Sequence, residues 1–167
     1  MPRNSKSAPN AIELLKKDHA EVSALFTRFQ DTDDQDEKAE IATQVCRMLT
    51  IHAACEEELL YPAALEAIDE ELVHEAEVEH QSAKDLIERI EDADPEDENF
   101  NAMVKVLGEY VGHHVRAEEG ELFAQLQRSE VDLDALGVEI AERKLELEQA
   151  LSAEPDEDED ADRDRAA

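Results

Sequence analysis

HAACEEELLYP, residues 52–62, places one histidine, three consecutive glutamates and two leucines within about three helical turns. Its reading turns on angle. At about 100° per residue, Val45 stands about 20° from His52, Leu49 about 60°, Met48 about −40° and Leu59 about −20°. His52 is therefore central to the apolar stripe of its helix. Glu56 falls at about 40°, inside that stripe, whereas Glu57 at about 140° and Glu58 at about −120° point away. One glutamate of the three faces inward. A buried carboxylate without a partner costs several kcal/mol, so something positive must meet it.

The same measurement on HHVRAEEGELF, residues 113–123, gives the same pattern. From His114, Leu107 lies at about 20°, Val111 at about 60°, Leu122 at about 80° and Glu118 at about 40°. His113, at about −100°, and Glu119, at about 140°, fall outside or on the margin. Earlier in the chain, His19 lies among Ile12, Leu15, Val22, Phe26 and Phe29. His80 lies beside Val73, Ala76 and Ile87, while His74 faces out. Four helices each turn one histidine inward, and two of them add a glutamate one turn later. Lys16 and Lys84 reach only the edges of these stripes, so bound cations are the direct way to neutralise Glu56 and Glu118.

Few Gly and Pro, no Trp, and a preponderance of Ala, Leu and Glu favour an all-α chain. Amphipathic segments fall at about residues 10–30, 37–60, 66–92 and 98–128, the second ending before Pro62. Short polar connections predict an up-down-up-down four-helix bundle. Leu133, Leu136, Ile140, Leu147 and Leu151 predict an additional C-terminal amphipathic helix, which can cover its own bundle or form a homodimer interface. The expected organisation is a flexible N-terminal segment 1–9, a bundle with its C-terminal helix over 10–152, and a disordered acidic tail 153–167.

With 46 acidic and 16 basic residues, the net charge is −30. That repels phosphate backbones and anionic lipid, so the expectation is no nucleic-acid and no membrane partner. Adaptation to high salt would also produce such a skin. The N-terminus lacks an apolar leader core and no stretch is apolar enough to span a membrane, which predicts a cytoplasmic protein. Cys46 and Cys55 fall on opposite sides of one helix and read as buried free thiols. Gly-rich phosphate loops, G-x-S-x-G and Cys-x-x-Cys are absent.

The ordered set His19, His52-x-x-x-Glu56, His80 and His114-x-x-x-Glu118, with the two strings quoted above, resembles the haemerythrin-like (HHE cation-binding) family over roughly residues 10–130. The resemblance implies a metal site formed by His19, His52, Glu56, His80, His114 and Glu118. It also implies a cofactor of two non-haem iron ions joined by an oxo or hydroxo bridge. Mixed N/O ligation by itself suits Fe, Mn or Zn.

The chain departs from reversible oxygen carriers of that family in two places. They have a further histidine one turn before the third-helix ligand, where this chain has Ala76, leaving Glu77 or water to fill the position. They also place the fourth-helix acid five residues after its histidine, which here is Glu119. The helical angle favours Glu118, with Glu119 as the alternative. Tyr61 reads as packing just outside the site, and Tyr110 either approaches the metals or packs in the core. These departures favour binding of or reaction with O2, peroxide or nitric oxide, in sensing or oxidative or nitrosative stress defence. The alternatives are non-enzymatic iron storage, delivery or iron sensing, and an acidic bundle that binds a protein partner.

Overall fold

The computed structural model describes residues 9–153; the expected flexible segment and acidic tail lie outside these residues except for their innermost positions. Five helical runs follow one another, with no strand among the described residues. α1 spans Ala11–Asp31 and opens on a capping box. Glu13 N–H donates to the Asn10 side chain at 3.0 Å, and Asn10 N–H donates to the Glu13 carboxylate at 3.1 Å. Two otherwise orphaned donors are thereby satisfied.

α2 is a continuous run over 35–65: Gln35–Cys55 is α-helical, Glu56–Leu60 is a π-helical turn, and Tyr61–Leu65 returns to α. The helix thus continues past Pro62, contrary to expectation. In the π turn the Tyr61 N–H reaches back to the Glu56 carbonyl. The ordinary ladder is already interrupted there, and a proline without an N–H costs least at such a point. α3 spans Glu70–Glu91, starting four residues later than expected because Asp69 forms the N-cap, accepting from Glu71 N–H at 3.1 Å. α4, over 100–126, repeats the construction of α2: Phe100–Ala117, a π turn at Glu118–Leu122, then Phe123–Leu126. α5 spans Leu133–Ala153.

Consecutive helices pack against each other and α4 returns to α1, closing a four-helix bundle; α5 lies outside it, across α1 and α2. Two apolar clusters fill the interior. One gathers Leu15, Leu60, Tyr61, Val73, Phe123 and Leu126 with Leu136 and Ile140 of α5. The other holds Phe29, Ile41, Val45, Leu86, Phe100, Val104 and Leu107. The inward histidines come between them, midway along each helix. Cys46 and Cys55 are free and buried, and burial pushes their thiols up to about 12 and about 11, which leaves them inert as nucleophiles. Among the described residues no helix is long and apolar enough to cross a membrane.

Candidate metal centre

All six residues singled out by helical angle are buried, and they meet. Ligand-type atoms of His19, His52, Glu56 and Glu118 lie within 4.8 Å of one another, as do those of Glu56, His80 and His114. Glu56 belongs to both groups. Its Oε1 is 3.1 Å from His52 Nε2 and its Oε2 is 3.2 Å from His80 Nε2, so its two oxygens face the two halves. Glu118 Oε2 lies 3.3 Å from His19 Nε2 and 3.6 Å from His114 Nε2. His74 and His113 stand on the surface, as their angles required.

Each of the four histidines turns Nε2 inward because its other nitrogen is held from outside. Asp18 on α1 accepts from His52 Nδ1–H on α2 at 3.3 Å, and Glu57 on α2 accepts from His80 on α3 at 3.0 Å. Glu79 on α3 accepts from His114 on α4 at 2.8 Å, and Glu119 on α4 accepts from His19 on α1 at 2.8 Å. Each helix therefore holds the histidine of the next, around the whole ring. Such outer carboxylates set the tautomer and aim the lone pair of a ligating imidazole. Glu119, the alternative ligand, is occupied in this outer role. Lys84 likewise serves Glu57, at 2.5 Å, rather than either buried glutamate.

The interior this creates calls for a cation. For neutral rings with Nδ1–H donated outward, as metal ligands must be, His19 Nε2 would face His52 Nε2 at 3.1 Å, and His80 Nε2 would face His114 Nε2 at 3.2 Å, lone pair to lone pair. Glu56 Oε1 and Glu118 Oε2 are buried acceptors without a hydrogen bond, since the nearby imidazole nitrogens are close but not aligned on them. Protons supply part of the missing charge in the metal-free protein. Burial would push His52 down, but Glu56 and the bond to Asp18 more than reverse this and hold it up at about 10. Burial would likewise raise Glu56, yet His52 and His80 hold it well below the usual carboxylate range. A donor set of imidazoles and carboxylates converging on unpartnered oxygens fits a divalent transition metal at each half.

Sequence reasoning placed Tyr61 outside the site, and the structure puts it inside. Its Oη lies 3.1 Å from His80 Nε2, 3.3 Å from Glu118 Oε1 and 3.4 Å from Glu56 Oε2. The π turn explains the difference: an extra residue in the turn sets Tyr61 directly beyond Glu56 instead of about 180° from His52. Phe123 is related to Glu118 in the same way and stacks on His19, with centroids 5.9 Å apart and planes 4° from parallel. Burial and the adjacent carboxylates push the Tyr61 phenol far up, so it keeps its proton.

Ala76 is buried in the same cluster as Tyr61, and Glu77 does not fill its place, being an exposed partner of His74. Beside Ala76 a crevice of about 40 Å³, flanked by Glu75, Glu79 and Glu121, touches His114 and Glu118. A larger cavity of about 350 Å³ opens beside all four histidines, walled by Val22, Leu49, Ala83, Ile87 and Val111. Tyr110 is half exposed, so it lines that cavity instead of packing in the core.

The chain is similar to known proteins in three respects. A protein named DNA nickase, from Nostoc sp. (strain PCC 7120 / SAG 25.82 / UTEX 2576), is 33% identical over 126 residues, which are 75% of this chain and 36% of that protein. The chain thus spans about a third of that relative's length. The crystal structure of a hemerythrin HHE cation-binding domain-containing protein from Mycobacterium kansasii superposes with a TM-score of 0.73 at 20% identity, covering 85% of this chain and 89% of that one. At that identity the likeness concerns the fold. The sequence profile of the Hemerythrin HHE cation binding domain matches residues 10–126, the stretch that carries every helix of the bundle and every residue of the ring, and the chain belongs to that family.

Proposed function

We propose that the chain is a non-haem di-iron protein that binds or reacts with O2, peroxide or nitric oxide, in sensing or in oxidative or nitrosative stress defence. His19, His52, Glu56, His80, His114 and Glu118 are its metal ligands in this reading. The observation that carries it is the unequal pair of donor groups, four residues on one side and three on the other, sharing Glu56. Iron held there supplies a reversible change of oxidation state and a coordination position for a small ligand.

The chain's own residues do the rest. The four outer carboxylates keep the imidazoles in one tautomer, so the donors are preorganised. The mostly apolar cavity beside the histidines is large enough to admit a small neutral molecule to them. Tyr61 holds a proton within 3.1 Å of His80 Nε2, where a reacting peroxide would need one.

Metal analysis of the iron-reconstituted protein, followed by challenge of the reduced form with O2, peroxide and nitric oxide under an absorption spectrometer, tests this. About two irons per chain and a spectral response to at least one of the three are expected. Failure to retain iron would sink the reading. Iron retained with no response would favour storage, delivery or iron sensing instead.

A further inference from the structure

α5 lies beyond the stretch that the family profile matches, yet it reaches the centre. Lys144 Nζ donates to Asp18 Oδ1, while Asp18 Oδ2 accepts from His52 Nδ1–H. The equivalent on the opposite half is Lys84, which braces Glu57 behind His80. Each half thus has one outer acid braced by a lysine. For the His80/His114 half the lysine comes from within the bundle. For the His19/His52 half it comes from α5. With α5 docked the Asp18 side chain is only 9% exposed, so undocking of α5 takes away both the cation that braces this acid and the helix that covers it.

The seat of α5 is specific. At Gly137 a β-carbon would stand 2.7 Å from the Pro9 carbonyl oxygen and 2.8 Å from the Ala11 nitrogen, so only glycine allows the helix this close to the start of α1. Arg143 grips Glu58, two residues beyond Glu56, at 2.6 and 3.1 Å. Arg47 of α2 donates to the Glu148 carbonyl at 2.9 Å and to Ser152 Oγ at 2.6 Å. Buried Leu136 and Ile140 complete the contact.

We propose that α5 is a latch on the His19/His52 half: docking of α5 and loading of metal there strengthen each other, with Lys144 the positioning residue that acts through Asp18 on His52. This rests on the metal reading above. The coupling is reciprocal, so whatever factor a docked α5 adds to metal affinity, bound metal adds to docking. A ligand or partner that lifts α5 would release or expose one metal and leave the other.

The test uses the full chain with Co2+ as a spectroscopic probe, titrated against a competing chelator, and hydrogen exchange over residues 133–153 with and without Co2+. In the wild type, Co2+ should slow exchange in α5. Lys144→Met should weaken one of the two ions about tenfold, spare the other, and abolish that slowing, while Lys144→Arg restores both. Gly137→Ala, which pushes α5 off α1 without touching the relay, should give the same selective loss. Lys84→Met should weaken the other ion and leave α5 responsive to metal. A wild type that binds no Co2+ fails the metal reading and the latch with it. Two bound ions with α5 exchange indifferent to them, or a Lys144→Met protein that keeps both affinities or loses both equally, overturns the latch alone.

Discussion

The α1–α2 and α3–α4 halves of the centre are built to one plan and finished differently. In each, an acid-histidine pair on the first helix faces a histidine, two adjacent glutamates and an aromatic ring on the second. Asp18-His19 corresponds to Glu79-His80, and His52, Glu56, Glu57 and Tyr61 correspond to His114, Glu118, Glu119 and Phe123. Both second helices switch to a π turn at the buried glutamate. The finish differs at the ring: Phe123 lays a hydrocarbon face on His19, whereas Tyr61 brings a hydroxyl to His80 and both buried glutamates. A near-symmetric frame sets where donors converge, and the asymmetry decides which half can offer a proton.

Removing what the halves share should have the largest effect. Glu56 is fully buried and faces both sides, so Glu56→Ala should abolish binding of both ions, a loss beyond the roughly hundredfold that an outer partner can account for. Glu118→Ala should remove at least one. Glu119→Ala takes away only the brace on His19 and should weaken one ion by about tenfold. Iron content after dialysis ranks the three. A Glu119→Ala protein worse than Glu118→Ala would move the acidic ligand one residue along α4.

Making the halves alike is the next test. Tyr61→Phe deletes the hydroxyl and copies the Phe123 arrangement. Two ions should still bind, with a stability cost of about 1 kcal/mol for the lost hydrogen bond. Reaction of the reduced protein with peroxide, which consumes protons, should slow by about a hundredfold, while nitric oxide binding, which needs none, should barely change. Stopped-flow absorption separates the two. Equal slowing of both would make Tyr61 a packing residue after all.

The helices and the residues that meet inside them were legible because α-helical periodicity acts on a whole segment: His52 and Glu56 are placed by Val45, Met48, Leu49 and Leu59 together. Tyr61 was not legible by that rule, since one extra residue in a π turn shifts everything beyond it by about 100°. A signal was present nonetheless. The five-residue step from Glu56 to Tyr61 recurs from Glu118 to Phe123, and proline at 62 sits inside a run that does not stop. The outer ring was also written in the chain, as one acid per helix directly beside an inward residue: Asp18 beside His19, Glu57 beside Glu56, Glu79 beside His80 and Glu119 beside Glu118. Angles measured within single helices cannot show it, because each acid serves the following helix. The apolar stripe of α5 was visible for the same reason as the others, but nothing in one helix says on which neighbours it lies.

In the metal-free protein, protonated His52 binds the halves together through Glu56. Its folded-state value is raised to about 10, so the stabilisation is fully present below pH 6.5 and lost as pH rises through about 10. Glu56 is lowered, so its share is present above about 4.5 and lost as pH falls below that. Chelated protein should therefore lose resistance to urea between pH 7 and 10, and bound metal should flatten that decline. A metal-free protein equally resistant at pH 7 and pH 10 would argue that the imidazoles stay neutral.

The smallest effect concerns how well each outer acid is itself held. Asp18 and Glu57 have lysines, whereas Glu79, among the described residues, is backed besides its bond to His114 by His113 alone, at 3.4 Å and with a side chain 70% exposed. Exposed pairs are worth under about 1 kcal/mol because solvent screens them and holding a mobile side chain costs entropy. His113→Ala should therefore shift metal affinity by less than about threefold, while Glu79→Ala, which frees His114 Nδ1, should cost about tenfold. Chelator competition resolves that gap. If His113→Ala matched Glu79→Ala, exposure would not govern the bracing of the ring, and the closer holding of Asp18 by Lys144 would lose its significance.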